Sequence, residues 1–501
     1  MKQLKNIHFA DKGKIYAILT LIIWLLQLSF QSKSSPVYPV YGRTSLIEND
    51  TTLKAAIRKI LTKKTMAPVF HYPKSVERFY LRSGYNPGWI KEEKEIRRTW
   101  EALLMLDCVL QFGLSHKDYH PNELDYAMMH DIYRRPSKVS PDQKARFDMM
   151  LTDAMIAFIY HLHFGKLNPV YTTEKLDNGE APGFCAEEIL DKAKQQPEFM
   201  TLVLNSQPKS GVYRLMQEQM RLMKGQYLDD CYEAPEESVR KLAINMERLR
   251  WAGAEEIPSI RINIPSYTLS LHLPDSVYQF KVIVGKASSP SPVFQSVLSH
   301  FSTAPDWRVP GKIFITELLP KIIKNPAFLE TNHFAIYDLK GKYLDPDERN
   351  LALVRRNPGK YFIRQSAGCD NALGRVVFRF SNPFGIYLHD TPEQQLFRRD
   401  IRALSHGCIR VEDAEKLASL LLKADGKPQD IKTLHRAMVF YEPETFTLKR
   451  RIPIQTLYLS CEIVDGLIQN YEDIYNQDKA LELALYGSSE AALTTKIKNI
   501  K

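Results

Sequence analysis

Near Trp251 the hydrophobic repeat of this chain changes its period, and that change constrains the fold more than any other feature of the sequence. Before it, in "ARFDMMLTDAMIAFIYHLHFGKL", Phe147, Met150, Leu151, Ala154, Met155, Phe158, Ile159 and Leu162 recur at spacings of three and four until Gly165 stops the run. That is the spacing of one helix face closed by a glycine. "TWEALLMLDCVLQFGL" repeats the pattern with Trp100, Leu103, Leu104, Leu106, Val109 and Leu110, and also ends in a glycine. After Trp251 the residues alternate. "TLSLHL" and "YQFKVIVG" put Leu269, Leu271 and Leu273 on one strand face and Tyr278, Phe280 and Val282 on another, a hairpin turned at Pro274 and Asp275. A second hairpin is predicted in "GRVVFRFSNPFGIYLHD", with Asn382 to Gly385 as the turn and Ile386 to His389 as the return strand. The fold class is therefore α+β: a mainly helical domain over 50–251, a β-rich domain over 258–480, and a tail over 481–501. At 501 residues and 44% hydrophobic composition, the chain has the material for two or three such cores.

Between the hairpins, residues 312–362 are long, charged and partly helical, more than a strand connection needs, and are read as a lid over a site. The aromatic-rich stretch from Phe79 to Ile90 suits packing between elements better than sugar stacking.

Residues 15–30, "IYAILTLIIWLLQLSF", carry no charge and follow lysines at 2, 5, 12 and 14. This pattern predicts export, with 1–34 as a signal peptide or an uncleaved membrane anchor, and the body in the periplasm or cell envelope. Four of the formal charges in the net +10 belong to this leader, and the remainder shows no basic run with interleaved aromatics. Nucleic-acid binding is excluded on that basis. Six cysteines are scattered without a CxxC pair, so neither a zinc ribbon nor a disulfide framework is announced.

The chemistry gathers at "SHGCIRVED", Ser405 to Asp413. A thiol attacks as thiolate, and nearby donors or an imidazolium favour that form. His406, Gly407 and Cys408 offer consecutive backbone N–H groups to an oxyanion, with glycine allowing the bend. His389, at the end of the second hairpin, is the candidate base, either in a cysteine–histidine pair or as a structural histidine. A metal site on His389, His406 and Cys408 lacks the short ligand spacing that zinc sites carry, and no metal or other cofactor is assigned. Asp413 is expected to cap the following helix.

"YLHDTP" and "SHGCIRVED", with fifteen residues between His389 and Ser405, resemble the signature of L,D-transpeptidases with a YkuD-type catalytic domain. "NMERLRW", "VIVGKASSPSPVFQS", "APDWRVPGKI", "RQSAGCDNALGRVVFRFSN" and "DIYNQD" resemble the large, scaffold-bearing branch, so that the likeness covers about residues 70 to 480. The resemblance implies a peptidoglycan enzyme that acts on stem peptides, forms 3→3 cross-links through a cysteine thioester, and releases D-alanine, with carboxypeptidase activity where water is the acceptor. It implies Cys408 as nucleophile, His389 as proton acceptor and donor, Ser405 as a polar neighbour of the thiol, and His406 to Cys408 as oxyanion donors. Arg410 would hold a stem carboxylate, or else pair with Glu412 or Asp413. Ala367 and Cys369 depart from the pattern, and the Lys224–Glu236 stretch leaves no room for the wall-binding repeat of many large relatives. The alternative is a wall-binding scaffold that keeps the domain for its shape alone. Membrane contact is expected only through an uncleaved leader.

Overall fold

The structure is a computed structural model that describes residues 50–62, 69–90, 93–224, 236–253 and 257–487. The leader (1–34), the interior of the Lys224–Glu236 stretch and the chain after 487 lie outside the described residues. No described helix is long and apolar enough to cross a membrane.

The first half is helical, and the long helix Pro141–Phe164 forms its axis. Ser140 and Gln143 cap each other's backbone at its start, Pro141 occupies the first turn, and Gly165 ends it. Almost every residue from Ala145 to Leu162 is buried, because helices Asp50–Thr62, Pro73–Arg82, Glu93–Asp107 and Ala186–Lys194 surround it. Two carboxylates on this axis satisfy backbone donors of the segments packed against it. Asp148 accepts from the N–H groups of Gly88, Trp89 and Ile90 at 2.7–3.0 Å and from the Tyr80 hydroxyl at 2.7 Å. Asp153 accepts from the N–H groups of His71 and Tyr72, 2.8 Å each. Phe79, Tyr80 and Trp89 are buried, which gives the aromatic-rich stretch its packing role. The Glu93–Asp107 helix stops earlier than its apolar run, and a separate tight turn, Val109–Phe112, carries the chain to left-handed Gly113.

The second half is a closed barrel. Its strands are β1 (Ser259–Asn263), β2 (Thr268–Leu273), β3 (Ser276–Gly285) and β4 (Gln295–Thr303) before the insertion. The insertion carries β5 (Trp307–Arg308), β6 (Phe334–Asp338), β7 (Tyr343–Leu344) and β8 (Tyr361–Gln365). Then come β9 (Val376–Phe380), β10 (Leu388–His389), β11 (Ala403–Ser405), β12 (Ile409–Val411), β13 (Thr445–Leu457), β14 (Cys461–Val464) and β15 (Leu467–Asn470). The order β3-β12-β10-β9-β4-β13-β1-β2 returns to β3 through the β2–β3 hairpin, so the ring has no free edge there, and β11 joins β3 in parallel. Its core includes Leu269, Val282, Phe301, Phe378 and Leu388, and takes in Leu417, Leu421 and Leu434 from helices Ala414–Ala424 and Asp430–Phe440.

Three expectations are refined or corrected here. The insertion is partly helical, and β5 to β8 add a four-stranded sheet over a core of Phe314, Ile322, Ile336, Val354 and Ile363, so that its limits widen from 312–362 to Trp307–Gln365. Short strands of two to five residues among charged loops leave no sustained alternation to read. The boundary at 480 falls inside helix Asp478–Tyr486, which is tied to helix Glu236–Trp251 by Arg248–Asp478 (2.5 Å) and Arg240–Glu482 (3.5 Å). Asp413 occupies the cap position of the Ala414–Ala424 helix in the left-handed region, φ 50°, with no side-chain cap bond.

Candidate functional site

Strands β10 and β12 run parallel, with Leu388 opposite Ile409 and His389 opposite Arg410. The Ile409 N–H donates to the Tyr387 carbonyl (3.1 Å), so the register also sets Cys408 beside Tyr387. Because side chains alternate along a strand, Tyr387, His389, Cys408 and Arg410 face the same way. Residues nineteen apart in sequence thus become neighbours on two strands of one barrel.

The turn before β12 presents the thiol. Gly407 has φ +116°, a conformation that suits glycine, and a Cβ there would press on Ile386 at 3.2 Å. Ser405 is buried, and its hydroxyl donates to the Cys408 carbonyl (2.6 Å) while accepting from the Gly407 N–H (3.1 Å). From behind, Ser291 Oγ donates to the Gly407 carbonyl (2.7 Å) and accepts from the Gly285 N–H (2.9 Å). The Tyr475 hydroxyl donates to the Gly285 carbonyl (2.5 Å) and accepts from the Ser291 N–H (3.1 Å). Ser405 is therefore the internal brace of the turn rather than a group aimed at substrate. The Gly407 N–H, expected to face an oxyanion, is occupied by that brace.

Burial pushes the Cys408 thiol above its ordinary value, partly offset by the N–H and hydroxyl of Tyr387, which both reach the sulfur. Tyr387 itself is raised by burial and by the thiolate beside it. His389 is fully enclosed; burial first, and then the Arg410 guanidinium, lower it to about 3, against the carbonyls of Asp390 and Leu373. Its Nδ1 donates to the Asp390 carbonyl at 2.6 Å. A neutral imidazole carries one N–H, so Nε2 is left with its lone pair. The direct thiol–imidazole bond expected from the sequence is not formed among the described residues, and the sulfur's partner is Tyr387.

His406 is exposed, with Nε2 2.6 Å from Glu317 of the insertion and 3.2 Å from Lys286 Nζ. It does not converge with His389 and Cys408, so these three are not brought together as metal ligands. Arg410 pairs with Glu393 at 2.7 Å, not with Glu412 or Asp413, and Glu412, just past β12, lies 3.9 Å from Lys281 of β3. Cys369 is exposed, on a loop held by buried Asn371, whose side chain donates to the Pro305 (3.1 Å) and Ser366 (2.8 Å) carbonyls. The insertion reaches the site twice: at Glu317, which contacts His406, and at Trp307, which lies near the Tyr387 side chain.

Sequence reasoning passed over Tyr387 and Asp390, although both stand in the "YLHDTP" that marked His389. Asp390 is buried, and its carboxylate accepts from the Arg375 N–H (2.9 Å) and Gln394 (3.1 Å), which pins the neighbouring loop while its carbonyl orients the histidine. Gly374 permits that approach: a Cβ there, at φ +64°, would run into the Asp390 carboxylate.

Comparison with known proteins assigns the two halves. Residues 258–432 match the YkuD family, an L,D-transpeptidase catalytic domain, and residues 74–220 match a family described as a Scaffold domain. A protein of Haemophilus influenzae named "Putative L,D-transpeptidase" is 36% identical over 250 residues, 49% of this chain and 49% of that protein. The chain thus spans about half the length of the curated relative it matches. With the cysteine turn and its histidine strand inside the matched region, this chain carries a YkuD-type L,D-transpeptidase catalytic domain joined to a scaffold domain.

Proposed function

We propose that the protein is an exported, cysteine-dependent acyltransferase that forms 3→3 cross-links between peptidoglycan stem peptides. The observation that carries this reading is the parallel β10–β12 pair, which sets a half-buried thiol beside a strand whose imidazole has its remaining nitrogen free to accept a proton.

In the resting site the thiol is protonated and His389 neutral, so activation is a proton transfer at the moment of attack rather than a stored ion pair. The sulfur bonds to the carbonyl carbon of the third residue of a donor tetrapeptide, and its proton passes to His389. The imidazolium then protonates the departing amine, the C–N bond breaks and D-alanine leaves. The side-chain amine of a second stem attacks the thioester, loses a proton through His389 and restores the thiol. Water in place of that amine gives carboxypeptidase activity. The thioester conserves the energy of the broken peptide bond, so the reaction calls for no nucleotide. Tyr387 and the Cys408 N–H are the proposed donors to the developing oxyanion. Arg410, held by Glu393, is the proposed anchor for a stem carboxylate. The insertion is the proposed lid, and the charge-free segment at 15–30, removed or retained as an anchor, supports a body outside the cytoplasm.

The test is a muropeptide digest of sacculi incubated with the purified chain. New 3→3 dimers identified by mass, absent with Cys408→Ala, are expected. Binding to sacculi without new dimers or loss of D-alanine, combined with an inert Cys408 thiol, would instead establish a wall-binding scaffold.

A further inference from the structure

We propose that His71, His120 and Asp153 form a site for a divalent transition-metal ion of the zinc class, within the scaffold domain and separate from the cysteine site. The three side chains come from three segments. His71 lies just before the Pro73–Arg82 helix, His120 precedes the Tyr126–Arg134 helix, and Asp153 belongs to the Pro141–Phe164 axis. Their ligand atoms all lie within 4.8 Å of one another, the group among the described residues in which His, Cys, Asp or Glu side chains come close enough to share an ion. His120 Nε2 stands 2.6 Å from Asp153 Oδ2, and the imidazole rings of His71 and His120 stack with centroids 4.6 Å apart.

The surroundings suit ligation. The Asp153 carboxylate is held by the His71 and Tyr72 N–H groups, so its orientation is set by backbone before any ion arrives. Asp153 and His120 are buried, whereas His71 is exposed. The His120 backbone sits in the left-handed region, φ 52°, uncommon for a residue with a Cβ, at the point where its ring meets the carboxylate.

Two imidazole nitrogens and one carboxylate oxygen are the donors zinc takes in tetrahedral sites, with the fourth position left to water. Calcium and magnesium prefer all-oxygen shells. Bonds of about 2.0–2.2 Å separate tetrahedral donors by roughly 3.3–3.5 Å, so the His120–Asp153 contact of 2.6 Å must open by about 0.7–0.9 Å while His71 closes by rotation. His120 now donates its Nε2 proton to Asp153. On binding, that nitrogen gives its lone pair to the ion and the ring's proton resides on Nδ1, with no net proton released. Ligands 82 and 33 residues from Asp153 carry no short-spaced signature, which is why the sequence alone did not announce them. A bound ion would clamp three scaffold segments together.

The test uses the full chain with Cys408→Ala, which removes the reactive thiol as a competing ligand, stripped of metal and titrated with Zn(II) by calorimetry and with Co(II) by visible absorption. One ion per chain is expected, with tetrahedral cobalt bands lacking a thiolate charge-transfer feature. At a hundredfold excess over Kd, the unfolding midpoint should rise by about 5–10 °C. His71→Ala, and His71→Phe, which keeps a ring stacked on His120, should both fold and lose the ion, the bands and the midpoint rise. Metal content and midpoint response in the two His71 variants equal to the parent's would overturn the site. So would no uptake by the parent, or a thiolate band placing the ion on cysteine.

Discussion

In the proposed reaction Cys408 and His389 depend on the residues touching them. Cys408→Ala should abolish transfer, hydrolysis and acylation by a carbapenem, whose strained carbonyl offers the thiolate the electrophile a stem peptide offers. Mass spectrometry of the wild type should find a single adduct on the 405–410 peptide, and one on Cys369 would move the nucleophile. His389→Ala should lower turnover on stem peptides by about 10²- to 10⁴-fold, with slow lactam acylation surviving because ring strain substitutes for leaving-group protonation. His406→Ala, whose imidazole points to Glu317, should lose less than either. The pH dependence follows from the directions of the two shifts. Raised Cys408 stays a thiol through neutrality, and His389, lowered to about 3, is unprotonated throughout that range. Acylation rate should therefore climb with pH on one thiol-controlled limb, with no His389 inflection near 6.5. Tyr387→Phe removes a hydrogen bond to the sulfur and should displace that limb toward higher pH; an unmoved profile would remove Tyr387 from the site. At this scale the sequence was legible where chemistry sits in contiguous motifs, as at Cys408 and His389. It was opaque for Ser291 and Trp307, which reach the site only because the fold brings distant stretches of chain beside the reactive turn.

Among the elements, the insertion and the long scaffold helix answer to different forces. The insertion has its own core, and its ends are already joined, since the Val309 N–H donates to the Ile363 carbonyl at 3.0 Å. Replacing 310–362 with a short glycine-serine link should leave a folded barrel that still reacts with a lactam. Its kcat/KM on stem peptides should fall by about ten- to hundredfold, through lost positioning. Unchanged turnover in that shortened protein would end the lid reading. The Pro141–Phe164 helix was readable from its period and its glycine stop, whereas the purpose of its buried acids was not, because their partners are backbone groups of other segments. Asp148→Ala would strand three N–H groups and the Tyr80 hydroxyl in the core. We expect a loss of about 3–5 kcal/mol in urea unfolding followed by circular dichroism. A loss below about 1 kcal/mol would mean that water replaces the carboxylate.

For the molecule as a whole, the change of period near Trp251 told the two halves apart but not how they meet. They meet through a third apolar cluster in which Met216, Met220, Leu242 and Met246 of the scaffold pack on Leu457, Leu459 and Cys461 beyond the barrel. Asn245 fastens this seam: its side chain accepts from the Ser460 N–H (2.9 Å) and donates to Ser460 Oγ (3.0 Å) and the Lys241 carbonyl (2.8 Å). The "NMERLRW" stretch that resembled the scaffold-bearing branch is thus largely a docking surface for the catalytic half. Asn245→Ala should cost about 2–3 kcal/mol by leaving buried partners unsatisfied, and should split one calorimetric transition into two as the halves uncouple. A single unshifted transition would show that the apolar contacts suffice. The tied neck of the insertion has a consequence of another kind, in how such a molecule can change through descent. A segment whose two ends are already bonded to each other can be lengthened, shortened or exchanged without shifting any strand of the ring. The barrel can therefore keep its reactive turn in register while a lineage tries different covers over it.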